Sequence, residues 1–204
     1  MSPTADATDL AGAADRLRDE FDGVFGRETV ERCLQDSLSA LGPTRVEAFR
    51  GLLAYRFARE RLNAAAHVSG ALPVAVPQVL LVCTQNAGRS QLAAALLEHA
   101  ARGRVLVRSA GTSPAADLHP HVRRVLEEQG IDASAAYPKP LSDEVVAASD
   151  VVVTMGCGDT CPVLPGRRYE DWPVDDPEGR DLDGVRAVRD DLAVRVSALL
   201  EELA

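Results

Sequence analysis

The spacing of apolar residues changes near residue 70, and this change divides the chain into two parts. Before it, apolar residues recur at helical spacing in three stretches; after it, short unbroken apolar runs alternate with helical stretches. The first pattern predicts a small all-α bundle of three helices over residues 1–70. The second predicts an α/β domain over residues 77–204. The stretch between them contains Pro73 and Pro77 and is predicted to be a linker.

The three N-terminal helices are amphipathic. The first is predicted over about residues 6–21, the second ends at Gly42-Pro43, and the third follows Thr44. Cys33 lies on the apolar stripe of the second helix, so we expect it in the core rather than as a reactive thiol. The apolar face of the third helix is predicted to consist of Val46, Phe49, Leu52, Leu53, Phe57 and Leu62.

Four short stretches of the second part are predicted to be strands. They are Val79–Val82, Val105–Val107, Val151–Met155 and a segment near Arg168–Trp172. Helices are predicted from Ser90 to Arg102, from Pro120 to Gly130, and from an N-cap at Asp183. This alternation predicts a four-stranded parallel sheet with helices on both faces.

Ligands bind at the carboxyl ends of strands in such sheets. Cys83, Ser109 and Cys157 each follow a predicted strand, so we expect them to converge on one edge.

The end of the first strand carries the strongest chemical signal. Cys83 is followed by a loop of small residues, and Arg89 begins the next helix. A helix N-terminus offers unpaired N–H groups and a dipole that favours an anion, and the same field favours a thiolate at Cys83. Arg89 adds donors suited to phosphate or arsenate oxygens. The alternative is a buried cysteine followed by a surface arginine.

Two later segments contain further candidates. Asp175-Asp176-Pro177 could supply a carboxylic acid that protonates a leaving oxygen, or it could be an ordinary Asp-Pro turn. Cys157 and Cys161 could exchange a disulfide with Cys83, form half of a zinc site, or be incidental thiols. The four histidines show no metal-ligand spacing with this pair, so we favour the redox interpretation and expect no metal.

Composition narrows the function classes. The net charge of −9 argues against nucleic-acid binding and favours a soluble protein. The sequence has no signal peptide and no apolar run long enough to span a membrane, which predicts a cytoplasmic protein. In that compartment cysteines are more often catalytic or metal-binding than paired in structural disulfides.

Taken together, four segments resemble an arsenate reductase of the low-molecular-weight tyrosine phosphatase fold. They are Cys83–Gln91, Ser109–Thr112, the Cys157/Cys161 segment and Asp175–Pro177, and they occur in the family's order. The N-terminal segment, including Phe25–Arg32, resembles the three-helix extension of some actinobacterial members.

The resemblance implies a role for each site residue. Cys83 would be the nucleophile, Ser90 would hydrogen-bond its thiolate, and Asp176 would be the general acid. Cys157 and Cys161 would relay the disulfide to thioredoxin. The oxyanion would be held by Arg89 and the loop residues Thr84, Gln85, Asn86, Ala87 and Gly88.

Some features depart from the family pattern. Cys157 and Cys161 are only four positions apart, and on a helix the segment would have to unwind before a disulfide could close. The segment also resembles mycothiol-dependent members, which use mycoredoxin and only the first cysteine. Ala94 stands where some members carry a potassium-binding glutamate, so we expect no such potassium site.

Two rival functions remain open at this point. One is a phosphatase acting on phosphotyrosine. Only 4% of the residues are aromatic, so few aromatic side chains are available to line a binding site for the phosphotyrosine ring. The other is a binding module that senses an oxyanion without catalysis. We expect no bound cofactor. The N-terminal helices could form a homodimer or dock a reductase, and the family resemblance favours the homodimer.

Overall fold

The computed structural model describes residues 10–41, 49–157, 161 and 163–203. These residues form two compact units. The helical unit runs to Pro73 and also takes in Ser142–Ala148, and the α/β unit comprises the rest. The described elements, in chain order, are α1 (Leu10–Glu20), α2 (Arg27–Ala40), α3 (Arg50–Val68), β1 (Gln78–Cys83), α4 (Arg89–Ala101), β2 (Leu106–Gly111), α5 (Pro120–Glu127), α6 (Asp143–Ala148), β3 (Val151–Met155), β4 (Arg168–Asp171) and α7 (Leu182–Glu202).

The three predicted N-terminal helices are present as α1, α2 and α3. The predicted start of the first helix at residues 6–9, and the Gly42-Pro43 stop with Thr44 and Val46, lie outside the described residues. Cys33 is buried in the core of this unit, as predicted, and its Sγ lies 3.8 Å from the main-chain oxygen of Ala58.

The buried face of α3 differs from the predicted one. Phe49 precedes the helix and is 53% exposed, whereas Phe57 and Leu62 are buried as expected. The predicted face consisted of large apolar residues, but alanines are also buried on this helix. Their small side chains let the helices approach closely. The buried alanines of α3 are Ala54, Ala58, Ala64 and Ala66.

The short helix α6 was not predicted, because six residues are too few to show a helical period. Its Glu144 accepts two hydrogen bonds from Arg61 of α3, at 2.7 and 3.2 Å. Arg61 also donates to Ser37 Oγ of α2 at 3.1 Å. Burial is the largest single influence and raises the pKa of Glu144, but the hydrogen bonds and charge of Arg61, together with the Glu144 main-chain N–H and Ser142, hold that pKa below its ordinary value.

The predicted four-stranded parallel sheet is confirmed, with the strand order β2-β1-β3-β4. Strand β1 is central, and both sets of its alternate side chains are fully buried, which explains its unbroken apolar run. Val79, Leu81 and Val153 pack in one core with α4, α5 and α7.

The predicted end of the second strand and the predicted cap of the last helix were wrong. Strand β2 continues through Gly111, so Ser109 lies inside the strand and not beyond its end. Helix α7 is capped by Asp181 rather than Asp183, because Asp181 Oδ1 accepts the Gly184 N–H at 2.9 Å.

Candidate active site

The loop between β1 and α4 directs its main-chain N–H groups inward. The carbonyl oxygens of Cys83, Thr84, Gln85 and Ala87 accept hydrogen bonds from main-chain N–H groups of the segment 112–119, at 2.8–3.2 Å. In a trans peptide the C=O and the next N–H point in opposite directions, and no described bond is cis. The N–H groups that follow these carbonyls therefore point away from that segment, so the loop can surround an anion.

Cys83 lies at the base of this loop, where its side chain is only 2% exposed. Its Sγ is 2.9 Å from Ser90 Oγ and accepts the Asn86 N–H at 3.3 Å. Asn86 is held in the left-handed region at φ 49°, a conformation that turns the loop back toward Cys83. The Asn86 N–H donates to the sulfur and the Ser90 hydroxyl is within reach to do so, an arrangement that suits a thiolate.

Gly111 explains why the loop can fold so tightly. It lies beside Cys83 in the sheet register, and the loop crosses directly over it. A Cβ atom at Gly111 would lie 2.7 Å from the Thr84 carbonyl oxygen and 2.9 Å from the Asn86 nitrogen. Only glycine fits this close approach of main chain to main chain.

Arg89 and Asp176 face each other across the loop. Arg89 Nη2 donates to Asp176 Oδ2 at 2.5 Å, and the Arg89 side chain is 12% exposed. Asp176 is held by Glu178 N–H on its other oxygen at 3.1 Å and by Arg180 Nε on its main-chain oxygen at 2.9 Å. These contacts hold the Asp176 carboxylate against Arg89, at the edge of the loop of residues 83–89, which we call the oxyanion loop.

A pocket opens above Cys83 between these groups. Its walls bring together residues that are far apart in the sequence: Cys83, Gln85, Ala87, Gly88, Arg89, His119, Asp176, Pro177 and Glu178. His119 was missed by the sequence analysis. Its main-chain N–H binds the Ala87 carbonyl, and its Nδ1 is buried without a hydrogen-bond partner among the described residues. The sequence does place His119 directly before Pro120, the first residue of α5, and this position at a helix start could have marked it as a pocket residue.

Cys157 and Cys161 lie side by side. Their Sγ atoms are 2.6 Å apart, and neither forms a disulfide. Neither cysteine is in a helix, and residues 158–160 between them lie outside the described residues. A hydrogen bond from Cys161 lowers the pKa of Cys157 to about 7, and the same contact raises the pKa of Cys161.

This pair also lies near the loop. Cys83 at the end of β1 is paired with Met155 at the end of β3, and Cys157 follows Met155 by two residues. Thr84 Oγ1 donates to the Gly156 carbonyl at 3.2 Å, and charge on Cys83 contributes to the raised pKa of Cys161.

Within the described part of the chain, no group of three or more metal-ligating side chains could hold a metal ion. None of the described helices combines the length and apolar character needed to cross a membrane.

Comparison with protein-family models identifies both parts of the chain. Residues 78–204 match the model for low molecular weight phosphotyrosine protein phosphatases. Residues 10–66 match the model for the N-terminal domain of protein-tyrosine-phosphatase-like proteins. The chain belongs to the low-molecular-weight phosphatase family.

Within this family, the chain is similar to arsenate reductases. It is 42% identical to the thioredoxin-dependent arsenate reductase of Corynebacterium glutamicum, with a TM-score of 0.86 over 95% of this chain and 96% of that one. It is 32% identical to the glutaredoxin arsenate reductase of a Synechocystis species, over 62% of this chain and 98% of that protein. An arginine phosphatase from Geobacillus stearothermophilus is 29% identical, with a TM-score of 0.55 over 62% of this chain and 92% of that one.

Proposed function

We propose that this protein reduces arsenate to arsenite, with Cys83 as the nucleophile and Cys157 and Cys161 as the source of two electrons. The observation that carries the proposal is the joint presence of an oxyanion loop around Cys83 and a pair of free, adjacent thiols near it. A phosphatase needs only the loop and an acid, whereas reduction also needs a second thiol, which Cys157 can supply within this chain.

Arsenate binds first. Its oxygens accept hydrogen bonds from Arg89 and from the N–H groups of residues 84–89. The Cys83 thiolate attacks arsenic, a sulfur–arsenic bond forms, and an arsenic–oxygen bond breaks. Asp176 in its protonated form gives a proton to the departing oxygen, which leaves as water. Ser90 donates to the Cys83 sulfur, and Asn86 shapes the loop around it.

Reduction follows when a second thiol attacks the adduct. The Cys157 thiolate attacks Cys83 Sγ, and the sulfur–arsenic electron pair passes to arsenic. Arsenic(V) becomes arsenic(III), arsenite leaves, and a Cys83–Cys157 disulfide remains. The lowered pKa of Cys157 favours this step because the thiolate is the attacking species.

Cys161 then attacks Cys157 and releases the Cys83 thiolate. The resulting Cys157–Cys161 disulfide needs little movement, since the two sulfur atoms would approach by only about 0.6 Å from their present separation. An external dithiol reduces it and closes the cycle. The dependence of the C. glutamicum relative on thioredoxin supports thioredoxin as this partner.

The test is NADPH consumption by the purified protein with arsenate, thioredoxin and thioredoxin reductase. Wild type is expected to oxidise NADPH only when arsenate is present, and Cys161→Ser is expected to lose multiple turnover. Cys33→Ala is the matched control, because Cys33 belongs to the helical unit and should not affect the relay.

The other outcomes of this assay identify the rivals. No NADPH oxidation with thioredoxin, but turnover with mycothiol and mycoredoxin or with a glutaredoxin, would replace the reductant. Turnover on an aryl phosphate rivalling that on arsenate would overturn the proposal in favour of a phosphatase.

Two proposals concern the setting of the enzyme. Four free thiols suit the reducing cytoplasm, where we place the protein.

We also propose a homodimer through the N-terminal helices, because Phe49 and Val68 at the two ends of α3 expose apolar surface. Light scattering over a range of concentrations tests it, and a monomeric mass throughout would contradict it.

A further inference from the structure

Gln91 carries a buried amide that the mechanism above does not use. It lies on α4, one residue beyond Ser90, and is 6% exposed. Its Nε2 donates to Asn86 Oδ1 at 3.0 Å and to the main-chain oxygen of Tyr137 at 2.9 Å. An amide nitrogen has two N–H groups, so these two bonds use both. Since a main-chain carbonyl can only accept, the Tyr137 oxygen fixes which end of the Gln91 amide faces Asn86.

The orientation of the Asn86 side chain follows from this contact. Its Oδ1 accepts from Gln91 Nε2 and from the Lys139 main-chain N–H, both at 3.0 Å. A flipped amide would place an NH₂ group against two donors. The Nδ2 group must therefore lie on the other side, where it donates to Ser90 Oγ at 2.9 Å.

The Ser90 hydroxyl is oriented in turn. Because its oxygen accepts from Asn86, its single proton is available for Cys83 Sγ, 2.9 Å away. A thiolate can only accept, so the series of hydrogen bonds runs in one direction, from Gln91 through Asn86 and Ser90 to Cys83. Asn86 and Ser90 are fully buried, so water does not compete for these bonds.

We propose that Gln91 is a positioning residue of the active site: it fixes the direction of the hydrogen bonds from Asn86 and Ser90, so that Ser90 donates to the Cys83 thiolate. The inference rests on the proposed role of Cys83 as nucleophile. Without Gln91, the Asn86 amide loses one of the two donors that hold it. Any fraction of flipped amide would draw the Ser90 proton away from the sulfur and disfavour the thiolate.

The test measures the thiolate directly. In a Cys157→Ser/Cys161→Ser background, the rate of Cys83 alkylation by iodoacetamide is followed by mass spectrometry of the Cys83 peptide over a range of pH. Gln91→Met keeps the length of the side chain without its donors and adds no charge near the sulfur. We expect alkylation near neutral pH to slow by about threefold or more, with the profile moved to higher pH and the limiting rate unchanged.

The charged groups around the sulfur are the same in each compared pair. Arg89 on α4, His119 before α5, and Asp176 and Glu178 in the pocket wall are unaltered, so they cancel in the difference. Leu97→Met, a change of similar size at a buried position of the same helix, controls for the packing of α4 and should leave the profile in place.

A second background decides whether Gln91 acts through Ser90. In Ser90→Ala, Gln91→Met should have almost no further effect on alkylation, because the last link is already missing. An equal slowing in both backgrounds, or no slowing in either, would overturn the proposal. Since no arsenate is used, these results stand apart from the NADPH assay, whose failure would count against the proposed function alone.

Discussion

Gly88 and Pro177 touch where the oxyanion loop meets the segment that carries Asp176. A Cβ atom on Gly88 would lie only 2.5 Å from Pro177 Cγ. The proline ring cannot swing aside as a long side chain can, so any displacement passes to the adjacent Asp176. This contact therefore sets the distance between the loop that binds the oxyanion and the acid that is proposed to protonate the leaving oxygen.

Gly88→Ala tests this relationship. The added methyl group is expected to push Pro177 and Asp176 outward and to lower kcat by about tenfold or more, since small misplacements of reacting groups are costly. Gly26→Ala is the matched control, because a Cβ at that position has nothing within 4 Å. Steady-state kinetics on arsenate gives the answer, and equal kcat values for the two variants would contradict the prediction.

Neighbouring aspartates allow a sharp test of the general acid. Asp176→Asn keeps the size of the side chain but cannot give up a proton, and kcat should fall by about 10²–10⁴-fold. Asp175→Asn is the control, since Asp175 pairs with Arg180 rather than with Arg89. If both variants lose activity to the same extent, the loop as a whole matters and the acid assignment is wrong.

The thiol pair predicts a pH dependence for arsenite release. The hydrogen bond from Cys161 lowers the pKa of Cys157 to about 7, so the attacking thiolate forms as the pH rises through that value. In single-turnover experiments with excess enzyme, the rate of arsenite release should increase with pH and level off above this region.

Two substitutions at Cys161 separate its hydrogen bond from its redox role. Cys161→Ser retains an O–H donor and should leave the single-turnover profile near its wild-type position. Cys161→Ala removes the donor and should move the profile to higher pH. Superimposable profiles for the two variants would show that Cys161 does not control the Cys157 thiolate.

The ion pair between Arg61 and Glu144 should stabilise the helical unit. Arg61→Gln leaves a partly buried carboxylate without its partner, and we expect a loss of about 2 kcal/mol in the free energy of unfolding. Arg59→Gln breaks a more exposed pair with Glu20 and should cost less than about 1 kcal/mol. Urea denaturation at neutral pH measures both.

The stabilisation by the Arg61–Glu144 pair should depend on pH. The folded protein holds the pKa of Glu144 below its ordinary value of 4.5, so the stabilisation is present above that pH. It is lost as the pH falls and the carboxylate becomes protonated. The difference between wild type and Arg61→Gln should therefore shrink in acid, and a constant difference from pH 7 to pH 3 would contradict the assignment.

By itself, the sequence determined the features that depend on neighbours along the chain. Strand β3 was predicted with its observed bounds, and the start of α4 at Arg89 followed from the strand–loop–helix order. A buried central strand requires an unbroken apolar run, and a loop at a helix start can receive an anion. These local requirements placed Cys83 and Arg89 before any tertiary contact was known.

Only the tertiary structure decided how distant segments meet. The pattern does not show that Gly111 lies beneath the loop, that His119 lines the pocket, or that Gln91 reaches Asn86 and Tyr137. It also does not give the separation of the Cys157 and Cys161 sulfur atoms, which depends on how the two side chains pack. The periodicity of a sequence indicates which face of a helix or strand is apolar. How closely two elements approach and which way a hydrogen bond points depend on packing between elements, and a local sequence pattern does not contain that information.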